Sequence, residues 1–361
     1  MAYDLGNEEL DERLRSLVAD ASDNAENSDL IEELIVTAIK LQRDGASRGD
    51  LKLISTAVKE MRYSNLVFSR HSEPKVTIYG SARIKEGNPN YELTVVFADA
   101  MAGHGWGVIT GAGPGIMEAG NKGAGTENSY GVNIRLPFEA SANGYLAESR
   151  TVNFKYFFTR KLAFVKESQA FTILPGGFGT MDEAFELITL IQTGKSDLHP
   201  IVLLEAEGTK YWGPLIDFVR TYLLGNGMIS DSDLHLFLHT TDPEEACQHI
   251  LRFYSNYHSQ RFTAGRLILR VRQAPDDKEL AALNEDFADI VVEGKIERTE
   301  PNQAEIDDDD ALDKERITFY FDRRQFGRLR ELVDRLNELA SLPETTEIPA
   351  HMSEEQAERP W

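Results

Sequence analysis

The chain has 361 residues, enough to bury a sizeable core in two or three units rather than in one small domain. Its 60 acidic and 38 basic residues give a formal net charge of −22, which repels phosphate backbones and argues against nucleic-acid partners. A small phosphorylated ligand needs only a local positive site. The single cysteine, Cys247, excludes an internal disulfide and a thiolate-cluster metal site, and reads as a small buried apolar residue. No apolar run approaches the roughly 20 residues that span a bilayer. The opening MAYDLGNEELDE lacks the basic-then-apolar layout of a signal peptide, so a cytoplasmic protein without membrane partners is expected.

Residues 1–27 are polar and acidic with little apolar periodicity, which predicts a mobile or loosely attached terminus. Leu30, Ile31, Leu34, Ile35, Ala38 and Ile39 then recur at helical spacing behind an Asp29 cap with Glu32 three residues on. Leu51, Ile54, Val58 and Met61 mark a second helix. This N-terminal helical extension, 1–73, reads as a lid or a dimer contact.

From Pro74 to about Tyr254 short β-branched runs alternate with helical stretches, the pattern of a parallel sheet covered on both faces. Strands are predicted at 76–80, Gly107–Thr110, Gly131–Ile134, Phe171–Leu174, Ile201–Leu204 and His235–Leu238. Helices are predicted at Tyr91–His104, Ile116–Gly123, Arg160–Lys166, Met181–Gln192, Trp212–Leu224 and Pro243–Tyr254. The fold class is therefore α/β, a doubly wound Rossmann-like parallel sheet over 74–260. A small C-terminal α+β unit follows over 261–342: strand Arg266–Arg272, helix Lys278–Phe287, strand Asp289–Arg298, an acidic linker through Asp307–Asp310, strand Arg316–Phe321 and helix Gln325–Leu339. The order βαβ then βα resembles ferredoxin-like or ACT-type regulatory modules. Consecutive aspartates rarely point at one ion, so Asp307–Asp310 reads as a solvated loop and no metal is expected. The tail 343–361 is expected to be disordered.

Three glycine-containing turns follow predicted strands. In Tyr79-Gly80-Ser81-Ala82-Arg83 the glycine admits close backbone approach and Ser81 offers a hydroxyl and an amide to a nucleotide, although a plain structural turn has the same sequence. Gly111-Ala112-Gly113-Pro114-Gly115-Ile116-Met117-Glu118 leaves backbone amides free for an anion at a helix N-terminus. Its G-x-G-x-G spacing departs from the dinucleotide fingerprint, so a mononucleotide or sugar phosphate fits better than NAD, and no cofactor is expected. Pro175-Gly176-Gly177-Phe178-Gly179-Thr180-Met181-Asp182-Glu183 joins a strand to an amphipathic helix and reads as a phosphate cradle. Thr180 and Glu183 also fit a capping box, which leaves Glu183 two readings. Arg160 and Lys161, just before a helix, oppose its dipole and so suggest an anionic partner, with exposed surface basics as the alternative.

Together, PGGFGTMDE at 175–183, Gly80-Ser81, Gly111–Glu118 and Arg160-Lys161 resemble, in this order, the Lonely Guy (LOG) family of nucleoside 5′-monophosphate phosphoribohydrolases, often mislabelled lysine decarboxylases. The resemblance covers roughly 74–255, as in a long bacterial-type member. It implies hydrolysis of AMP or an N6-modified AMP to free base and ribose 5-phosphate, with Arg160 and Glu183 as the catalytic pair. Under it Gly176, Gly177, Gly179 and Thr180 cradle the 5′-phosphate, Gly80, Ser81, Gly113, Gly115 and Lys161 assist binding, and Glu118 bonds ribose hydroxyls. Met117 and Phe138 are candidates for base preference. A homodimer or higher homo-oligomer completes the site in such a family. The competing expectations are a nucleotide-binding carrier or sensor without turnover on the same fold, and a pyridoxal-phosphate decarboxylase, for which no lysine is marked.

Overall fold

The computed structural model describes residues 4–21, 27–134 and 143–339, so the expectations for Phe138 and for the tail 343–361 lie outside the described residues. The chain divides into two compact units, 1–62 and 63–361.

In the first unit α1 (Glu8–Ala21) replaces the loosely attached terminus expected there. Buried Asp11 accepts the backbone N–H groups of Leu5 (2.8 Å) and Asn7 (3.2 Å), closing the turn that starts the helix. Leu14 and Val18, one turn apart, bury together with Leu5 and with Val36 of α2 (Ser28–Arg43). Leu10 and Leu17 complete the helical spacing of this stripe (10, 14, 17, 18) but stay exposed, so only two of its four large apolar residues reach the small core. The cap of α2 is Asn27 in the left-handed region (φ 60°), not Asp29, which falls inside the first turn. Ile35 and Ile39 pack on the small core, whereas Leu30, Ile31 and Leu34 are exposed. α3 (Arg48–Phe68) begins three residues before the predicted apolar series.

The second unit opens with β1 (Lys75–Tyr79), α4 (Pro89–Gly103), β2 (Gly107–Thr110), α5 (Ile116–Ala124), β3 (Ser129–Ile134) and β4 (Thr151–Phe154). It continues through α6 (Phe157–Lys166), β5 (Ala170–Ile173), α7 (Phe178–Gln192), β6 (Ile201–Leu204), α8 (Trp212–Phe218), β7 (Phe237–Thr240) and α9 (Pro243–Phe253). The seven strands form one parallel sheet, ordered β4-β3-β2-β1-β5-β6-β7 and flanked by helices. Every residue of β1, β2, β5 and β6 is buried, which is why these strands read as short β-branched and apolar runs without polar alternation. Helix starts are marked by Asn88-Pro89 and Asp242-Pro243, whose side chains accept the N–H groups of Asn90 and Glu244.

Successive strands move outward from β1 through β4, and the order reverses when β5 pairs with the other side of β1. A crevice therefore opens at the carboxyl ends of β1 and β5, the position at which open α/β sheets hold ligands. Two strands differ from the sequence expectation. β4 is an edge strand in which only Val152 and Phe154 are buried, so no strand was expected there. β7 starts two residues late because Asp231–Leu236 winds into a 3₁₀ turn closed by a Ser230–Asp233 capping box.

Beyond α9 lie β8 (Tyr257–Thr263), β9 (Arg266–Val271), α10 (Asp277–Asp286), β10 (Val291–Arg298), α11 (Gln303–Asp307), β11 (Glu315–Phe321) and α12 (Phe326–Leu339). The four strands are antiparallel neighbours in the order β10-β11-β9-β8. β9, α10 and β10 form a split βαβ with β11 between its strands, as in the expected ferredoxin-like module, and the unpredicted β8 takes the remaining edge. The acidic linker is likewise more ordered than expected. Glu305 of α11 is wholly buried and accepts Arg270 Nε at 2.9 Å and Arg316 Nε at 3.1 Å. Asp308 and Asp310 hold Arg261 at 2.7 and 3.1 Å, while Asp307 and Asp309 remain exposed.

Candidate active site

The loops after β1, β2 and β5 interlock at the crevice. Ser81 donates its N–H to Pro175 O (3.2 Å), its carbonyl accepts Ile116 N–H (3.1 Å), and its hydroxyl accepts Arg83 N–H (3.1 Å). This closeness depends on glycine. A Cβ on Gly80 would lie 2.4 Å from the Ile116 side chain, and one on Gly115 (φ 73°) would lie 2.4 Å from Ser81 O.

The third loop delivers α7 to the cavity. The helix starts at Phe178, three residues before the predicted Met181, with Gly177 as its cap and no capping side chain. Its first intrahelical bond runs from Met181 N–H to Gly177 O (3.1 Å), so the preceding amides project from the N-terminus. Thr180 is thus in the first turn and Glu183 in the second, and the capping-box reading of this pair falls. A Cβ on Gly176 would lie 2.1 Å from Thr180 Oγ1, and the Gly176 carbonyl accepts the Tyr211 hydroxyl at 2.6 Å.

Arg160 lies within the first turn of α6 rather than before it, because the helix starts at Phe157. Its Nε donates to Val132 O of β3 (2.9 Å), its Cζ lies 5.2 Å from the Phe164 ring centroid, and Nη1 stands 3.8 Å from Glu183 Oε1. Gly111 makes room for the guanidinium, since a Cβ there would lie 2.4 Å from Nη2. The Glu183 side chain is 16% exposed. Burial pushes its pKa up to about 7, against the pull of Arg160 and Lys161.

The resulting cavity, about 930 Å³, is lined by nine of the residues singled out in the sequence: Gly80, Ser81, Met117, Arg160, Gly176, Gly177, Gly179, Thr180 and Glu183. Gly113, Gly115, Glu118 and Lys161 are not on its wall. Gly113 packs against the Met117 methyl, and Glu118 accepts the Tyr91 hydroxyl at 3.4 Å. Lys161 is drawn onto α7 by Asp182 (2.8 Å) and Glu186 (3.0 Å). The sequence reading missed Arg83, Phe157 and Tyr211 on the wall. Arg83 sat in a quoted motif and could have been found there. Tyr211 carries no local signal. Among the described residues, no group of three or more His, Cys, Asp or Glu side chains could hold a metal ion, and no helix is long and apolar enough to cross a membrane.

Residues 113–250 match the family model described as "Possible lysine decarboxylase". The probable cytokinin riboside 5′-monophosphate phosphoribohydrolase LOGL2 of Oryza sativa subsp. japonica is 35% identical over 101 residues, 28% of this chain and 39% of that protein. The cytokinin riboside 5′-monophosphate phosphoribohydrolase LOG1 of Arabidopsis thaliana is 37% identical over 86 residues, 24% of this chain and 38% of that protein. The chain thus spans less than two fifths of the length of either relative. Among solved structures, the molybdenum cofactor binding protein of the phototrophic bacterium Rippkaea orientalis is similar at 16% identity and a TM-score of 0.36, over 49% of this chain and 94% of that one.

Proposed function

From the premise that the α/β domain of this chain is that of a LOG family member, we propose that it hydrolyses the N-glycosidic bond of a nucleoside 5′-monophosphate, AMP or an N6-modified AMP. The observation that carries the reading is one largely buried carboxyl group, that of Glu183, facing Arg160 on the wall of a cavity that also receives a helix N-terminus.

Each part has a chemical task. The amides at the start of α7 bind the 5′-phosphate through unpaired N–H groups and the positive end of the helix dipole. The ribose then extends toward the second turn, where Glu183 stands. Cleavage breaks the bond from C1′ to the base nitrogen, whose electron pair leaves with the base, and positive charge develops on the ribose. Ionised Glu183 stabilises that charge and takes a proton from the water whose oxygen bonds C1′, and that proton passes on to the departing base nitrogen, which restores the carboxylate. The products are free base and ribose 5-phosphate. Arg160 orients Glu183 and favours its ionised form, its own position fixed by the bond to Val132 O.

The wording of the family description also raises decarboxylation. Pyridoxal phosphate needs a lysine amine to hold it, yet no lysine lines the cavity among the described residues, and nearby Lys161 is engaged by two carboxylates. The residues do not fit that cofactor. The reading also includes a homodimer, because Phe157, Phe158 and Leu162 of α6 and Phe178 and Phe185 of α7 expose apolar surface around the cavity that a second copy would cover.

The test is chromatography of the protein incubated with AMP beside its Glu183→Ala variant. Adenine and ribose 5-phosphate formed by the first and not by the second support hydrolysis at this site. Tight AMP binding without products would replace the enzyme by a carrier or sensor.

A further inference from the structure

The charge balance of the cavity singles out a residue that the catalytic assignment leaves unused. Two described cations stand on its wall, Arg83 and Arg160. Arg160 faces Glu183 and spends its Nε on a backbone carbonyl, and Lys161 behind it is held by Asp182 and Glu186. The exposed guanidinium of Arg83 makes no ion pair among the described residues. In a chain of net charge −22, an arriving phosphate dianion therefore meets in Arg83 the one cation on the wall, among the described residues, that faces no carboxyl group.

Its placement is built rather than incidental. The backbone beside Arg83 is pinned by the three Ser81 hydrogen bonds, one of them to Pro175, which directly precedes the glycines leading into α7. A free side chain on a fixed backbone next to a helix N-terminus matches what a charged ligand group requires. We infer that Arg83 binds the 5′-phosphate, adding a full positive charge to a site otherwise made of backbone amides, and thereby selects nucleoside monophosphates over nucleosides. This inference rests on the proposed function.

The test combines steady-state kinetics on AMP with calorimetric titration of ribose 5-phosphate and of adenosine, in the wild type, Arg83→Gln and Arg83→Lys. Loss of one charge-assisted contact predicts about a ten- to hundredfold rise in KM and in the ribose 5-phosphate Kd for Arg83→Gln. It leaves kcat within about threefold and adenosine affinity unchanged, because the contact is equal in ground and transition states. Arg83→Lys recovers most of the loss as a point charge, and the advantage of wild type over Arg83→Gln shrinks with added salt. Unchanged ribose 5-phosphate affinity in Arg83→Gln, or an equal loss for adenosine, overturns the assignment while AMP hydrolysis stands. A wild type that binds ribose 5-phosphate through Arg83 without cleaving AMP overturns hydrolysis and keeps the phosphate site. One that binds neither removes both.

Discussion

A carboxyl group 16% exposed and 3.8 Å from a guanidinium is subject to two opposing effects, and at Glu183 burial prevails, raising the pKa from 4.5 to about 7. If ionised Glu183 is the working form, kcat/KM for AMP rises with pH with a midpoint near 7, and a pH–rate profile reads it directly. The same shift has a consequence for stability. A carboxyl whose folded pKa is raised favours folding at low pH, and that contribution is lost as pH rises from 4.5 to about 7. Glu183→Gln, which cannot ionise, should therefore gain stability relative to wild type over that interval by roughly 3 kcal/mol, and hold the gain above it. Urea unfolding at pH 4.5 and pH 8 measures the difference, and a gap that does not widen with pH would show that Glu183 is not buried as described. The glycines of the same loop are equivalent in sequence but not in space. Gly176→Ala drives a methyl into Thr180, whereas Gly177→Ala meets nothing within 4 Å. The first should lower kcat/KM on the order of a hundredfold by displacing the cradle, and the second far less. Adenine release by the two variants compares them.

At the scale of elements, what was legible in the sequence follows burial. The fully buried strands β1, β2, β5 and β6 announced themselves as short β-branched runs, and the glycine turns after β1 and β5 carried the site, because glycine is needed wherever backbones approach this closely. The edge strand β4, with two buried residues, gave too little signal, whereas α1 carried Leu10, Leu14, Leu17 and Val18 at helical spacing and was masked only by the many charges between them. Lys161 could not be excluded from the site by sequence, because its partners Asp182 and Glu186 lie on another helix. The acidic run after Glu305 misled for a related reason, since a charge run reads as solvated unless its arginine partners are known, and here they come from strands 35 residues before and 11 residues after Glu305. Burial alone would raise the Glu305 pKa, but the Asn302 backbone amide, Arg270 and Arg316 outweigh it and hold it below the ordinary range. Glu305→Gln leaves two guanidiniums buried without their shared carboxylate and should cost roughly 3–5 kcal/mol. A lowered folded pKa contributes stability above the unfolded value near 4.5 and loses it as pH falls, so the wild-type advantage over Glu305→Gln should fade below that pH. Denaturant melts of both proteins at pH 7 and pH 4 test the sign as well as the size.

Across the molecule beyond residue 62, the parallel sheet and the antiparallel sheet contribute to one hydrophobic core. Phe253 and Tyr254 of the α9 end, Tyr257 of β8, Leu267, Leu269 and Val271 of β9, and Leu329, Leu332 and Leu336 of α12 bury together. Asn337 of α12 accepts the N–H groups of Asn256 (3.1 Å) and Tyr257 (2.8 Å) and donates to Phe253 O (2.7 Å), tying the last helix to the junction. The Phe326 ring fills the space over Gly194, where a Cβ would lie 2.0 Å from it. Residues 1–62, in contrast, form a compact unit whose small core comprises Leu5, Leu14, Val18 and Val36. The two ends of the chain should therefore tolerate deletion very differently. A chain ending at Ser255 would expose the large aromatics of α9 and lose the strands that cover them, and it should be insoluble or melt without a cooperative transition. A chain starting at Tyr63 keeps every residue of the larger core and of the cavity wall, so it should unfold cooperatively and bind ribose 5-phosphate with wild-type affinity. Thermal melts and calorimetry on both truncations decide the matter. Loss of ribose 5-phosphate binding in the second, with its fold intact, would mean that residues 1–62 are needed for binding.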